Sequence, residues 1–234
     1  TDELRRIDII VDNGLIGDIY TDNVDSISPT ENPRKLIVAG DSFTEGTGGS
    51  VLGNGYVEVM RGMIGNFDVV KSGSGGTGYL KTNAGRPNLR DRAQTDIVDQ
   101  NPDLVIIAMG INDSGEVNSE FETAVNATLN TVQAGLPNAI ICLLGSWTDG
   151  EANTGMIEKT AIMGNVAAQR GLFFINPTGT GNSDGWFTGT GKIDAPANNG
   201  NADLFISTDG THPNDDGHKY LASRLASALA AFNL

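Results

Sequence analysis

The sequence is poor in the residues that usually announce a function. It has a single cysteine, Cys142, so no intramolecular disulfide can form, and the run "AIICLL" around it reads as a buried strand with a core thiol. It has two histidines, both near the C-terminus, so imidazole chemistry is confined to one place. Its 15 basic residues are outnumbered by 29 acidic ones, and a formal charge of −14 repels phosphate polymers and anionic surfaces, which argues against a nucleic-acid partner. Neither a run of about 18 apolar residues nor a charged-then-apolar leader is evident, so neither membrane insertion nor a targeting segment is expected.

What is present has a clear rhythm. Residues 1–33, "…LRRIDIIVDNGLIGDIYTDNVDSISP…", hold short β-branched runs broken by Asn-Gly and Ile-Gly turns. They read as an N-terminal β segment, too small to bury a core alone and suited to being the tail of a β-rich module upstream. From residue 34 to 234 a single larger domain is expected. There "LIVAG", "FDVVKSG", "LVIIAMG", "AIICLLG" and "LFFIN" are too short for helices and almost continuously apolar, as strands buried on both faces are. Between them, "GYVEVMRGMIG", "NLRDRAQTDIVDQ", "SEFETAVNATLNTVQAG" and "GMIEKTAIMGNVAAQRG" repeat apolar residues at three-to-four spacing, and "DDGHKYLASRLASALAAFNL" closes the chain as an amphipathic helix. Strand and helix alternating five times predict an α/β fold with a parallel sheet covered on both faces. In such a sheet ligands collect where the strands end.

Four of the segments beyond the strands carry chemistry. "GDSF" puts Ser42 just past the first strand, where it is either a helix-cap serine or an exposed nucleophile. "SGSGGTGY" comes after the second strand, its glycines permitting either a flexible loop or a nest of backbone N–H donors. "GIND" comes after the third, and Asn112 can cap a helix or donate its amide to an oxyanion. "DGTH" precedes the last helix with Asp209 and His212. Nucleophile, oxyanion donors, base and orienter together are the parts of acyl transfer.

With these four blocks in this order, over roughly residues 34 to 232, the chain resembles the SGNH hydrolases, the GDSL-type lipase and esterase family. Phe43 stands where the name-giving leucine is usual, and Lys71 where the family usually has Asn. The resemblance implies a three-layer α/β/α sandwich on a five-stranded, flavodoxin-like sheet. It also implies a triad of Ser42, Asp209 and His212, an oxyanion hole from the N–H groups of Ser42 and Gly76 with the Asn112 amide, and no cofactor. Gly75 adjoins Gly76 and is the alternative donor. The Gly-x-Ser-x-Gly elbow of α/β-hydrolases is missing, since Thr44 stands two residues after Ser42.

For substrate recognition the candidate wall residues are Asp41, Gly75, Tyr79, Trp147 and Trp186. The last two sit in loops rich in Gly, Asn and Asp, where rings either fill gaps or line a cleft suited to sugars. The substrate is expected to be an acylated small molecule or carbohydrate, with O-deacetylation of carbohydrate preferred. A lipase or thioesterase on a lipid or small acyl ester is an alternative. Two further readings are a metal-dependent hydrolase using Asp209, His212, Asp215, Asp216 and His218, and a non-catalytic surface or virion module. The acidity fits an extracellular, surface or virion-associated setting, or exclusion of polyanionic substrates.

Overall fold

The computed structural model describes residues 34–65, 67–181 and 183–234. The expected N-terminal β segment, 1–33, lies outside the described residues. Five strands, β1 (Arg34–Gly40), β2 (Phe67–Gly73), β3 (Leu104–Ala108), β4 (Ile140–Leu144) and β5 (Phe173–Ile175), form one parallel sheet in the order β2-β1-β3-β4-β5. The helices are α1 (Ser42–Glu45), α2 (Tyr56–Arg61), α3 (Leu89–Asp96), α4 (Asn118–Gly135), α5 (Thr154–Arg170), α6 (Ala202–Phe205) and α7 (Asp215–Ala231). All five expected strands and all five expected helices are there; the short α1 and α6 are additions that the sequence pattern does not show.

The strands read as unbroken apolar runs because alternate residues face two different cores. Leu36, Val38, Leu104, Ile106, Cys142 and Leu144 pack under α2 and α7, with Tyr56, Leu221 and Leu225. Ile37, Ala39, Val105, Ile107, Ile141 and Leu143 face α3, α4 and α5, with Leu89, Phe121, Leu129 and Met163. Each side is an apolar layer covered by helices, which makes this a three-layer sandwich.

Register then positions the site. Gly40 pairs with Gly73 and with Ala108, and Ala108 with Leu144, so the strands end level and their loops leave along one edge. The chain runs from β1 outward to β2 on one side and later returns to place β3 on the other. The carboxyl ends of β1 and β3 therefore flank a switch point, where diverging loops leave a crevice. Gly40 ends β1 where a Cβ would collide with Thr44 Oγ1, so only glycine lets α1 turn back so tightly on its strand.

Candidate active site

Ser42 is the first residue of α1. Asp41 caps that helix by accepting the Phe43 N–H at 3.0 Å, and Gly46 ends it with φ of 95°. A four-residue helix cannot show periodicity, and it hides the serine more than expected: Ser42 is 8 % exposed, with its hydroxyl at the floor of the crevice. The expectation of an openly exposed serine is corrected accordingly.

His212 Nε2 lies 2.8 Å from Ser42 Oγ, and His212 Nδ1 lies 2.7 Å from Asp209 Oδ2. The other oxygen of Asp209 accepts the N–H groups of Thr211 and His212 and the Ser207 hydroxyl, at 2.8, 2.9 and 2.8 Å. Burial works to raise the Asp209 pKa, but the backbone and ring donors of His212, with those of Thr211 and Ser207, outweigh it and hold the carboxyl below the usual range. An ionised carboxylate only accepts, so Nδ1 carries the ring proton and Nε2 keeps a lone pair for the serine hydroxyl. Gly48, at φ of 91°, passes under this loop so closely that a Cβ would collide with Pro213 O and stand 2.9 Å from His212 Cβ.

Opposite the imidazole, Ser74–Thr77 forms a turn closed by the Thr77 N–H to Ser74 O, with Gly76 at φ of 73°. Among the described residues no acceptor takes the N–H of Ser42, Gly75 or Gly76. Asn112 donates to Thr77 O at 2.9 Å, which spends one amide hydrogen on the turn and leaves the other. Asp113 accepts from Tyr79, Leu80 and Lys81 N–H; its own burial pushes its pKa up against these donors. A strap at Asn83–Arg86, whose two ends exchange backbone hydrogen bonds, buttresses the turn. Asn83 donates to Gly75 O at 3.0 Å, and Arg86 Nη1 lies 3.0 Å from both Glu45 carboxylate oxygens.

The structure thus brings Ser42, His212, Gly75, Gly76 and Asn112 to one cleft of about 650 Å³, with Asp209 behind His212. It does not bring four other candidates there. Asp41 is fully buried, one carboxylate oxygen on Phe43 and the other unpartnered, and burial pushes its pKa up to about 7. Tyr79 is fully buried, edge-on to Phe121 at 5.4 Å. Trp147, 1 % exposed, stacks on Phe43 at 5.8 Å. Trp186, 6 % exposed, lies under the Arg224 guanidinium at 5.2 Å. Loops with so few apolar residues are anchored by the rings they own, so the aromatics turn inward.

The residues of the metal reading do not converge either. Asp215 accepts from Ser50 and Asn54, Asp216 pairs with Lys219, and His218 is buried between the Tyr56 N–H and Thr47 O. Among the described residues no three His, Cys, Asp or Glu groups are placed to share an ion. Cleft residues that the sequence pattern does not single out include Asn83, Arg86, Ser114, Asp149, Asn153 and Met156. Three of these positions do carry a signal: Asp149 lies in the loop that leaves the fourth strand, and "NAGR", which holds Asn83 and Arg86, has the composition of a turn.

With this geometry in hand, the comparisons are consistent. The model of the GDSL-like lipase/acylhydrolase family matches residues 38–220. The GDSL lipase Rv0518 of Mycobacterium tuberculosis is 26 % identical over 206 residues, which cover 83 % of this chain and 81 % of the relative. Two solved structures share the fold at low identity. An acetyl xylan esterase, AlAXEase, superposes with a TM-score of 0.64 and 22 % identity, over 83 % of this chain and 99 % of its own. A family two carbohydrate esterase from Clostridium thermocellum, in complex with cellohexaose, gives 0.64 and 18 %, over 87 % and 66 %.

Proposed function

The chain belongs to the GDSL-like lipase/acylhydrolase family and is a carboxylic ester hydrolase, and from that premise we propose that it removes short acyl groups, acetyl first among them, from a carbohydrate alcohol. Ser42 attacks the ester carbonyl while its proton passes to His212 Nε2, and Asp209 stabilises the imidazolium that forms. The N–H groups of Ser42 and Gly76, with the free hydrogen of the Asn112 amide, receive the oxyanion. The intermediate collapses, His212 returns the proton to the departing alcohol oxygen, and the acyl group stays on Ser42. Water, deprotonated by the same imidazole, then hydrolyses the acyl-enzyme.

The observation that carries the reading is the continuous hydrogen-bonded chain from Asp209 through His212 to Ser42, at 2.7 and 2.8 Å. The alcohol is argued from the walls. Asn83, Asn112, Asn153, Ser114 and Thr211 offer donors and acceptors, while Ile111 and Met156 supply modest apolar surface. That mixture suits a polyol, through hydrogen bonds rather than the ring stacking expected from the sequence. The names of the acetyl xylan esterase and the carbohydrate esterase among the structural neighbours lend support.

The test is hydrolysis of p-nitrophenyl acetate, butyrate and octanoate by the protein and by Ser42→Ala. Acetate should be preferred, and the variant should lose roughly 10⁴- to 10⁶-fold in kcat. Activity that survives Ser42→Ala would overturn the mechanism, and a preference for octanoate would move the substrate to lipid.

A further inference from the structure

One carboxylate on the cleft wall has no part in this mechanism. Asp149, in the loop leaving β4, lines the cleft with Ser42, Asn112, Asn153 and His212. Of the other acidic side chains near the site, Asp41 keeps one unpartnered oxygen but is fully buried beneath α1 and does not line the cleft, and the rest have their oxygens engaged: Asp209 by Ser207, Thr211 and His212, Asp113 by three backbone N–H groups, Glu45 by Arg86 and Asp215 by Ser50 and Asn54. Asp149 differs. Among the described residues it has its own backbone N–H and no other donor, and no charged side chain bears on it.

The cost of that arrangement points to a ligand. Burial pushes the Asp149 carboxyl upward in pKa, because the charged form loses water without gaining partners. The backbone on either side is fixed. Ser146 Oγ donates to Trp147 O, Trp147 and Thr148 are buried, Glu151 donates its N–H to Gly189 O at 2.7 Å, and Gly150, at φ of 139°, passes so near that a Cβ would stand 2.5 Å from the same oxygen. The backbone that carries the side chain to the cleft wall is therefore held in place. An acceptor in an amide-lined cleft, whose Arg86 guanidinium is already paired with Glu45, suits a hydroxyl donor. An alkylammonium would call for aromatic faces, and here Trp147 and Trp186 are turned into the core.

Resting on the function proposed above, we infer that Asp149 is a specificity-determining residue, accepting a hydrogen bond from a free hydroxyl of the alcohol moiety beside the ester. It selects hydroxyl-bearing alcohols and leaves the acyl transfer itself to Ser42, His212 and Asp209.

The experiment compares the protein with Asp149→Asn and Asp149→Ala on four substrates: p-nitrophenyl acetate, a monoacetylated methyl xyloside with its neighbouring hydroxyls free, the same xyloside with those hydroxyls methylated, and acetylcholine. The readout is the ratio of kcat/KM for the free xyloside to that for p-nitrophenyl acetate. Asp149→Ala should lower the ratio by about 10- to 100-fold, chiefly through KM, as expected for losing a charge-assisted hydrogen bond. Asp149→Asn keeps an accepting oxygen and should lower it by a smaller factor, about 3- to 10-fold. The methylated xyloside should discriminate poorly between the three proteins. An unchanged ratio would overturn the inference, and so would failure of the unmodified protein to turn over the free xyloside. Equal losses for the Asn and Ala variants, with acetylcholine preferred over the xyloside, would replace the hydroxyl by a cation. These results differ from failure of the underlying reading, which appears as absent or Ser42-independent turnover of p-nitrophenyl acetate and removes both.

Discussion

Two polar loops, 206–214 between α6 and α7 and 176–201 between β5 and α6, are alike in composition and differ in whether a hydrogen bond reaches the nucleophile. Both are built from Gly, Asn, Asp, Ser and Thr. In 206–214, Asp209 ties the loop to itself through Ser207, Thr211 and the His212 N–H, and its second oxygen aims the His212 ring out of the loop at Ser42. In 176–201 most of the described polar side chains turn back on the loop and its neighbour α6, while Thr178 donates to Ser146 O and Lys192 Nζ to Thr208 O, neither of them a group of the triad. Asn176 accepts from Thr178 and Gly179, Asn199 from Thr190, and Asp203 of α6 from Ala197 and Asn198. Trp186 and Phe187 leave this loop for the core. What separates a catalytic loop from a packing loop is one hydrogen bond directed at the nucleophile, His212 to Ser42, a feature that composition does not carry.

The comparison breaks most sharply at Asp209. Asp209→Asn keeps an accepting oxygen for Ser207, Thr211 and the His212 N–H, so the loop should hold its shape. The new amide, however, donates toward Nδ1, which leaves the proton on Nε2 facing the serine. The expected loss is about 10⁴-fold in kcat with little change in Tm, read from p-nitrophenyl acetate turnover beside a thermal melt. A variant within tenfold of the original would mean that the outward bond is not what distinguishes this loop.

Trp186→Ala asks the reverse question of the packing loop. The ring lies beneath Arg224 and meets Trp147 at 6.0 Å, so its removal leaves a cavity at the edge of the core. Stability should fall by about 3–5 kcal/mol in urea denaturation, while kcat/KM on p-nitrophenyl acetate stays within a few-fold. Intact stability with a raised KM for sugar esters would return Trp186 to the cleft and dissolve the contrast.

The same contrast explains which features are legible in the sequence. The strands can be read because each is buried on both faces, and the triad because Asp-x-x-His is a local geometry in which three residues bring a carboxylate under a ring. Ser42 is placed by its strand end, but α1 stays hidden, since its four residues carry no period. The cleft walls are largely illegible. Asn83 and Arg86 reach the site through a strap, Asp149 through the loop after β4, and Met156 from the first turn of α5, so their convergence depends on paths through space. Trp147 and Trp186 look like wall residues in the sequence because their neighbours along the chain are rim residues. Which way a ring faces is decided by the apolar surface available to it, and here that surface lies inward.

The smallest perturbation tests the packing loop's own currency. Asn201 accepts the Thr188 N–H and donates to Trp186 O, each at 2.9 Å, joining two ends of the loop across thirteen and fifteen residues. Asn201→Ala leaves both backbone groups without this partner in a half-buried setting, and the expected cost is about 1–2 kcal/mol, seen as a lower Tm. Because none of this network reaches Ser42, the rate on p-nitrophenyl acetate should not move. A rate change without a stability change would show that this loop, too, sends a bond to the site, and the distinction between the two would then be one of degree.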